Sequence, residues 1–248
     1  MRDIDLRNAR AILFDRGNVT HDCRFGPPQS EREQQSARLL SAHLERLTGR
    51  TVDALVILER LVAPWKQTFA ERASRGYEEP LETRFRDFLA SLGTEASGRE
   101  VDEMIDLFGW AYVEPDKARE GVASLMSTLR AAGKKVGIVS NAALPDRIYV
   151  RKYVNDRLDP FIGCYVFSYG AGTRKPDKRM LELACRSLGV SPEESVLVGD
   201  RIGADIACAR RCGAVSVWYN PTHDVNTSDI KPDYSVESFA DMEERIAT

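Results

Sequence analysis

The chain has 248 residues, 43% of them apolar and 29% charged, enough to bury a sizeable core in one large domain or in a domain carrying an insertion. A formal charge of −3 argues against the clustered excess of basic residues that nucleic acids and anionic membranes require, so an acidic ligand has to be held locally. Five cysteines, an odd number without a C-x-x-C pair, and the polar segment MRDIDLRNAR give no expectation of a disulfide framework or a secretory signal, and a cytoplasmic location is expected. No apolar stretch approaches the ~20 residues of a membrane span.

The first predicted strand is Ala11 to Phe14, an apolar run that stops on Asp15 and is followed by Arg16-Gly17-Asn18-Val19. The segment 23–115 shows no convincing strand. Within it, Ser30 and Glu33 form a capping box for a helix that runs to Thr48 and is stopped by Gly49. Further helices are expected over Val52 to Val62, Trp65 to Ser74, Leu81 to Ser91 and Arg99 to Val113. From residue 119 helix and strand alternate in short units, the signature of a parallel sheet wrapped by helices. The predicted helices are Gly121 to Ala132, Leu144 to Val154, Asp177 to Leu188 and Ile202 to Cys212, three of them closed by Gly133, Gly189 and Gly213. The predicted strands are Lys135 to Val139, Cys164 to Phe167, Ser195 to Val198 and Val215 to Tyr219. The polar loop 220–232 reads as a surface connection to a last short strand and a helix over Glu237 to Ile246. Cys208 and Cys212 could share a helix face but have no histidine partners, so they read as buried small residues rather than a zinc site.

Four apolar runs end on polar clusters: Asp15, Ser140-Asn141, the loop carrying Lys175, and Asp200. In an open parallel α/β sheet, strand ends converge on one edge and ligands bind in the crevice outside it. Each cluster alone could be a cap, a turn or a solvated charge. Together they suit a phosphate and a divalent cation, because Mg²⁺ takes few carboxylates, while a hydroxyl, an amide and an ammonium suit phosphate oxygens.

The order of these motifs, hydrophobic-D-x-x-x-V, hydrophobic-S-N, K-P and G-D-x-x-x-x-D, resembles that of the haloacid-dehalogenase-like hydrolase superfamily. The likeness runs from Ala11 to about Ile246 and is most specific over GTRKPDKRMLELACRSLGVSPEESVLVGDRIGADIACARRCGA. The resemblance implies an α/β, Rossmann-like three-layer core with a parallel sheet, formed by residues 1–22 and 116–248. It also implies an inserted all-helical cap domain over 23–115, Mg²⁺ as cofactor and an aspartyl-phosphate mechanism. Asp15 would be the nucleophile, with Ser140, Asn141 and Lys175 binding the phosphoryl group. Asp15, the main-chain carbonyl of Gly17, Asp200 and Asp205 would hold the metal. The expected activity is that of a phosphatase acting on a small phosphorylated metabolite, such as a phosphomonoester or sugar phosphate, with no nucleic-acid or membrane partner.

Gly17 departs from the pattern, since the superfamily's phosphatases mostly carry there an Asp that protonates the leaving oxygen. General acid–base help is worth ~10²–10⁴-fold in rate. Three accounts stand open: FDRGNV resembles a sugar-phosphate phosphatase branch reading D-x-G-N-V; His21, Asp22 or a cap residue supplies the proton; or the protein binds phosphorylated ligands with weak or no turnover. In the insertion, Trp65, Lys66, Arg72, Arg75 and Tyr77 either read the substrate's far end or are packing and solvated charge.

Overall fold

The computed structural model describes residues 8–24 and 26–247. The chain enters through β1 (Ala11–Phe14) and a short β2 (His21–Asp22), runs through helices, and returns through β3 (Lys117–Ala118), which pairs antiparallel with β2. It then forms β4 (Lys135–Ser140), β5 (Cys164–Phe167), β6 (Ser195–Gly199), β7 (Val215–Tyr219) and β8 (Tyr234–Val236). The main sheet has the order β5-β4-β1-β6-β7-β8 and is parallel throughout. The four strands expected after residue 119 are present with ends shifted by at most one residue. The two-stranded ribbon of β2 and β3 has no sequence signal, being two residues on each side.

Strand alternation builds the layers. Ile12 and Phe14 face one side with Val136, Ile138, Val196 and Val198, and pack on Val122, Leu125, Met126 and Leu129 of the helix Val122–Ala131. Ala11 and Leu13 face the other, toward Met180, Leu181 and Ala184 of the helix Arg179–Leu188 and Cys208 of Ala207–Cys212. Every residue of β1 is fully buried, as expected of a central strand covered on both faces. Cys208 is thus core, as expected, whereas Cys212 at the end of its helix is only partly buried, and all five cysteines are free.

The segment between the ribbon strands is helical, as expected, with helices at Gln29–Thr48, 54–67, Phe69–Arg75, Leu81–Ser91 and Gly98–Val113. The helix over 54–67, wound as a π-helix at Leu58–Val62, runs through the break expected between Val62 and Trp65, and the helix expected over Trp65 to Ser74 is instead interrupted at Thr68. Ala37, Leu40 and Leu44 line one face of the first helix and join a core with Val101, Ile105 and Phe108 of the last. The predicted Ser30–Glu33 capping box does not form. The helix begins at Gln29 behind Pro28, whose φ of −51° already suits a helix start, and Glu33 turns inward to Lys66 at 2.7 Å. The capping box of the segment is Ser97 with Glu100. No helix of the described residues is long and apolar enough to cross a membrane.

Candidate active site

Because β1 lies between β4 and β6, the chain direction across the sheet reverses beside it, which opens a crevice at the carboxyl ends of these strands. Phe14 is level with Ile138 and Val198, so Asp15 leaves β1 close to where β4 ends at Ser140 and β6 at Gly199. Asp15 N–H donates to the Val198 carbonyl at 2.8 Å, which fixes its backbone to the neighbouring strand.

Lys175 stands at the centre of the site. Its Nζ lies 2.6 Å from Asp15 Oδ1, 2.6 Å from Asp205 Oδ1 and 2.6 Å from the Val139 carbonyl. Burial by itself would make the ammonium easier to deprotonate, but the carboxylates of Asp15 and Asp205 outweigh it and raise its pKa. Lys175 therefore stays charged near neutrality and is not a proton donor to a leaving group. Asn141 holds it in place: the Lys175 N–H donates to Asn141 Oδ1 at 2.8 Å, and Asn141 Nδ2 donates to the Lys175 carbonyl at 3.0 Å. The Asn141 amide, expected to contact a phosphate oxygen, thus meets the Lys175 backbone at both ends. Ser140 is buried at the end of β4.

Asp200 follows β6, and its Oδ2 accepts from Asn18 Nδ2 at 3.3 Å. Asp205 sits in a π-helical turn, Ile202–Ile206, rather than at the start of the α-helix expected from Ile202. The Arg201 N–H donates to Asp205 Oδ2 at 2.9 Å and so fixes the carboxylate. Among the described residues, Asp15, Asp200 and Asp205 are the one cluster suited to a metal, with an oxygen of each within 4.8 Å of the others. Burial, then the charges of Asp15 and Asp205, push the Asp200 carboxyl up to about 6. Its Oδ1 is buried without a hydrogen-bond partner among the described residues. Crowded carboxylates with an unpartnered oxygen fit a hard divalent cation.

Neither proton donor suggested for the missing Asp is free. His21 is fully buried; Nε2 meets Asp156 Oδ2 at 3.0 Å, Nδ1 meets Thr20 Oγ1 at 3.1 Å, and the ring packs edge-on to Tyr153. Burial lowers its pKa to about 4 despite Asp156, so the ring is neutral near pH 7. Asp22 accepts from the Arg24 N–H at 3.0 Å and pairs with Arg119 at 3.0 Å. Of the insertion residues singled out, Trp65, Lys66 and Arg72 line the cavity facing the site, whereas Arg75 and Tyr77 do not. Arg72 is 1% exposed and so is no solvated charge. Sequence reasoning missed Arg32 and Arg174 on the same cavity, and Arg16, which is buried against Asp116 at 2.8 Å. Arg32 lies in a polar helix start that reads as solvent-facing, so no local signal marks it.

A family model of haloacid dehalogenase-like hydrolases matches residues 9–213. The chain belongs to the haloacid dehalogenase-like hydrolases. It is 24% identical over 181 residues to the pyrimidine 5'-nucleotidase PynA of Streptococcus pneumoniae, covering 73% of each chain. It is 32% identical over 133 residues to a glyceraldehyde 3-phosphate phosphatase of Methanopyrus kandleri, covering 52% of this chain and 54% of that enzyme. Its fold is similar to that of the HAD-hydrolase YfnB from Bacillus subtilis, solved bound to magnesium, with a TM-score of 0.60, 21% identity and coverage of 97% and 99% of the two chains. The hydrolase thus shares its overall fold with this structure along nearly the whole of both chains.

Proposed function

We propose that this hydrolase is a Mg²⁺-dependent phosphatase of a small phosphorylated metabolite, working through phosphorylation of Asp15, with residues 23–115 acting as a cap. The observation that carries this reading is the Asp15–Lys175–Asp205 chain, with Asp200 beside it, at the carboxyl edge of β1 and β6. Asp15, Asp200, Asp205 and the main-chain carbonyl of Gly17 would hold the cation, whose charge offsets repulsion between carboxylates and the incoming phosphate. Asp15 attacks phosphorus and the ester oxygen leaves as its anion, to be protonated by water, after which water cleaves the acyl phosphate to release phosphate and regenerate the carboxylate. Lys175, charged and with its three N–H bonds directed at Asp15, Asp205 and the Val139 carbonyl, offsets the charge of Asp15 and of the incoming phosphoryl group, while Ser140 grips the transferring oxygens. The relatives supply independent support, since they include proteins named as a pyrimidine 5'-nucleotidase, a glyceraldehyde 3-phosphate phosphatase and a phosphoserine phosphatase. Five free cysteines suit a reducing compartment such as the cytoplasm.

Gly17, with His21 and Asp22 committed elsewhere, favours a second reading in which the same site binds phosphorylated ligands with little turnover. One experiment separates them: phosphate release from sugar, acyl and aryl phosphates, with and without Mg²⁺. A phosphatase releases phosphate only with the metal, and Asp15→Asn abolishes release while the melting temperature is retained. Activity of Asp15→Asn within tenfold of wild type overturns the covalent mechanism. Thermal stabilisation by Mg²⁺ and ligand without any release identifies a binder.

A further inference from the structure

Between the helical insertion and the sheet edge lies a cavity of about 750 Å³ that runs from Asn141 and Cys23 to the helices. Five cationic side chains line it and no carboxylate does. Lys66, Arg174 and Arg24 pair with Glu33, Glu78 and Asp22, whereas Arg32 and Arg72 share their carboxylates with a second guanidinium. Asp116 is shared by Arg16 at 2.8 Å and Arg32 at 2.6 Å, and Glu79 by Arg72 at 3.4 Å and Arg84 at 2.6 Å. In each group one negative charge faces two guanidiniums, so each keeps a surplus positive charge in a chain whose net charge is −3.

The wall also carries polar atoms with nothing to bind. Arg32 Nη2, Trp65 Nε1 and Tyr112 OH are buried and have no hydrogen-bond partner among the described residues. Arg32 and Trp65 are 8% and 7% exposed, so little of either side chain is open to bulk solvent. The three residues form one patch: Arg32 Nη1 donates to the Tyr112 carbonyl at 2.5 Å, and the Trp65 and Tyr112 ring centroids are 5.8 Å apart. The Arg72 guanidinium lies 5.6 Å from the Trp65 ring and extends the positive surface. Unmade bonds from buried donors are destabilising in the free protein, and three on one wall match an acceptor-rich ligand.

We propose that this patch binds a second anionic group, a carboxylate or a phosphate, at the far end of the phosphorylated substrate, with Arg32 as its charged partner and Tyr112 and Trp65 as further donors. This rests on the phosphatase reading of the Asp15 centre. The substrate class is then a phosphorylated small acid or a bisphosphate. An ester whose far end is a bare alkyl chain leaves all three donors unpaired. Burial raises the Tyr112 pKa, so its hydroxyl keeps the proton it donates. Trp65 is locked edge-on to Phe108 and Tyr112, which fixes the patch before the ligand arrives.

The test compares kcat/KM for phosphorylated carboxylic acids, alkanediol bisphosphates and plain alkyl phosphates of matched chain length, with the carboxylate and bisphosphate arms deciding which anion is bound. The acid-ended esters are expected to lead by ~10-fold or more, mainly through KM. Tyr112→Phe, which keeps the ring, should reduce that preference, and Arg32→Ala should remove it. Equal or faster hydrolysis of the alkyl phosphates overturns the proposal, as does a preference that survives unchanged in both variants. If p-nitrophenyl phosphate and every other ester resist hydrolysis, it is the phosphatase reading that has failed. The patch is then read by thermal shift: stabilisation by butanediol bisphosphate beyond that by butyl phosphate, lost in Arg32→Ala, supports it, and equal shifts overturn it.

Discussion

Gly17 stands two residues after Asp15, where an added Cβ would lie 3.8 Å from Asp15 Oδ2 and 4.0 Å from Cys23 Sγ. Both are ordinary contact distances, and the φ of Gly17 lies outside the left-handed region, so no backbone strain opposes a side chain here. With no acid at this position, esters whose alcohols leave without protonation should be hydrolysed best. Aryl and acyl phosphates are therefore expected to outpace primary alkyl phosphates in the wild type. Gly17→Asp should narrow the gap by speeding the alkyl esters by up to ~10²-fold, measured as the ratio of the two rates. An unchanged ratio shows that the proton comes from the insertion or from the substrate. His21 gives a second residue-level expectation. Its pKa falls from 6.5 to about 4 because burial disfavours the imidazolium more than Asp156 favours it. As pH drops, the unfolded chain takes up this proton first, so the stabilisation is complete above about 6.5 and is lost as pH falls through about 4, a total of ~3 kcal/mol. Melting curves between pH 7 and 4.5 should steepen for the wild type relative to His21→Gln; parallel curves refute a neutral buried imidazole.

At the scale of elements, the turn Ile202–Ile206 determines where Asp205 points. A Cβ on Gly199, the last residue of β6, would lie 2.2 Å from Asp205 Cβ and 2.3 Å from its Cγ. The strand end and the turn can approach this closely only because residue 199 has no side chain. Gly199→Ala should push the turn outward and draw Asp205 away from Lys175, costing ~1–3 kcal/mol and most of the phosphate release. Gly203, in the same turn, has open space around its Cβ position, so Gly203→Ala serves as the control and should leave the denaturation midpoint nearly unchanged. If both variants behave alike, close packing at the strand end is not what places Asp205.

Across the whole molecule, the helix Gly98–Val113 of the insertion meets the helix Asp146–Asn155 of the core at Gly109, where a Cβ would lie 2.4 Å from Ile148 Cδ1. Arg147 adds ion pairs to Asp106 at 2.6 Å and Asp102 at 3.1 Å across the same joint. These pairs are over 40% exposed and contribute little, under ~1 kcal/mol, so apolar contact holds the joint. Gly109→Leu is expected to destabilise the protein by ~1–3 kcal/mol in urea unfolding, and Arg147→Ala by less than ~1 kcal/mol. The reverse order would show that charge rather than packing seats the insertion.

The sequence by itself determined the sheet, because a central parallel strand buried on both faces has to be a short, unbroken apolar run, and Ala11–Phe14, Cys164–Phe167 and Val215–Tyr219 read as nothing else. It also placed Asp15, Ser140, Lys175 and Asp200 at one edge, since strand ends in such a sheet share a direction. What it left open were facts of spatial neighbourhood. That Asn141 meets the Lys175 backbone, that His21 is paired with Asp156, and that Glu33 turns to Lys66 depend on residues 34, 135 and 33 positions apart. Arg32 and Tyr112 are separated by 80 residues, and only the packing of the first inserted helix along the last brings them to one wall. A buried, unpartnered donor carries no periodic signal, because its environment is built by other segments of the chain. The residues at the sheet edge were therefore written locally, whereas the cavity beside them was decided by tertiary packing.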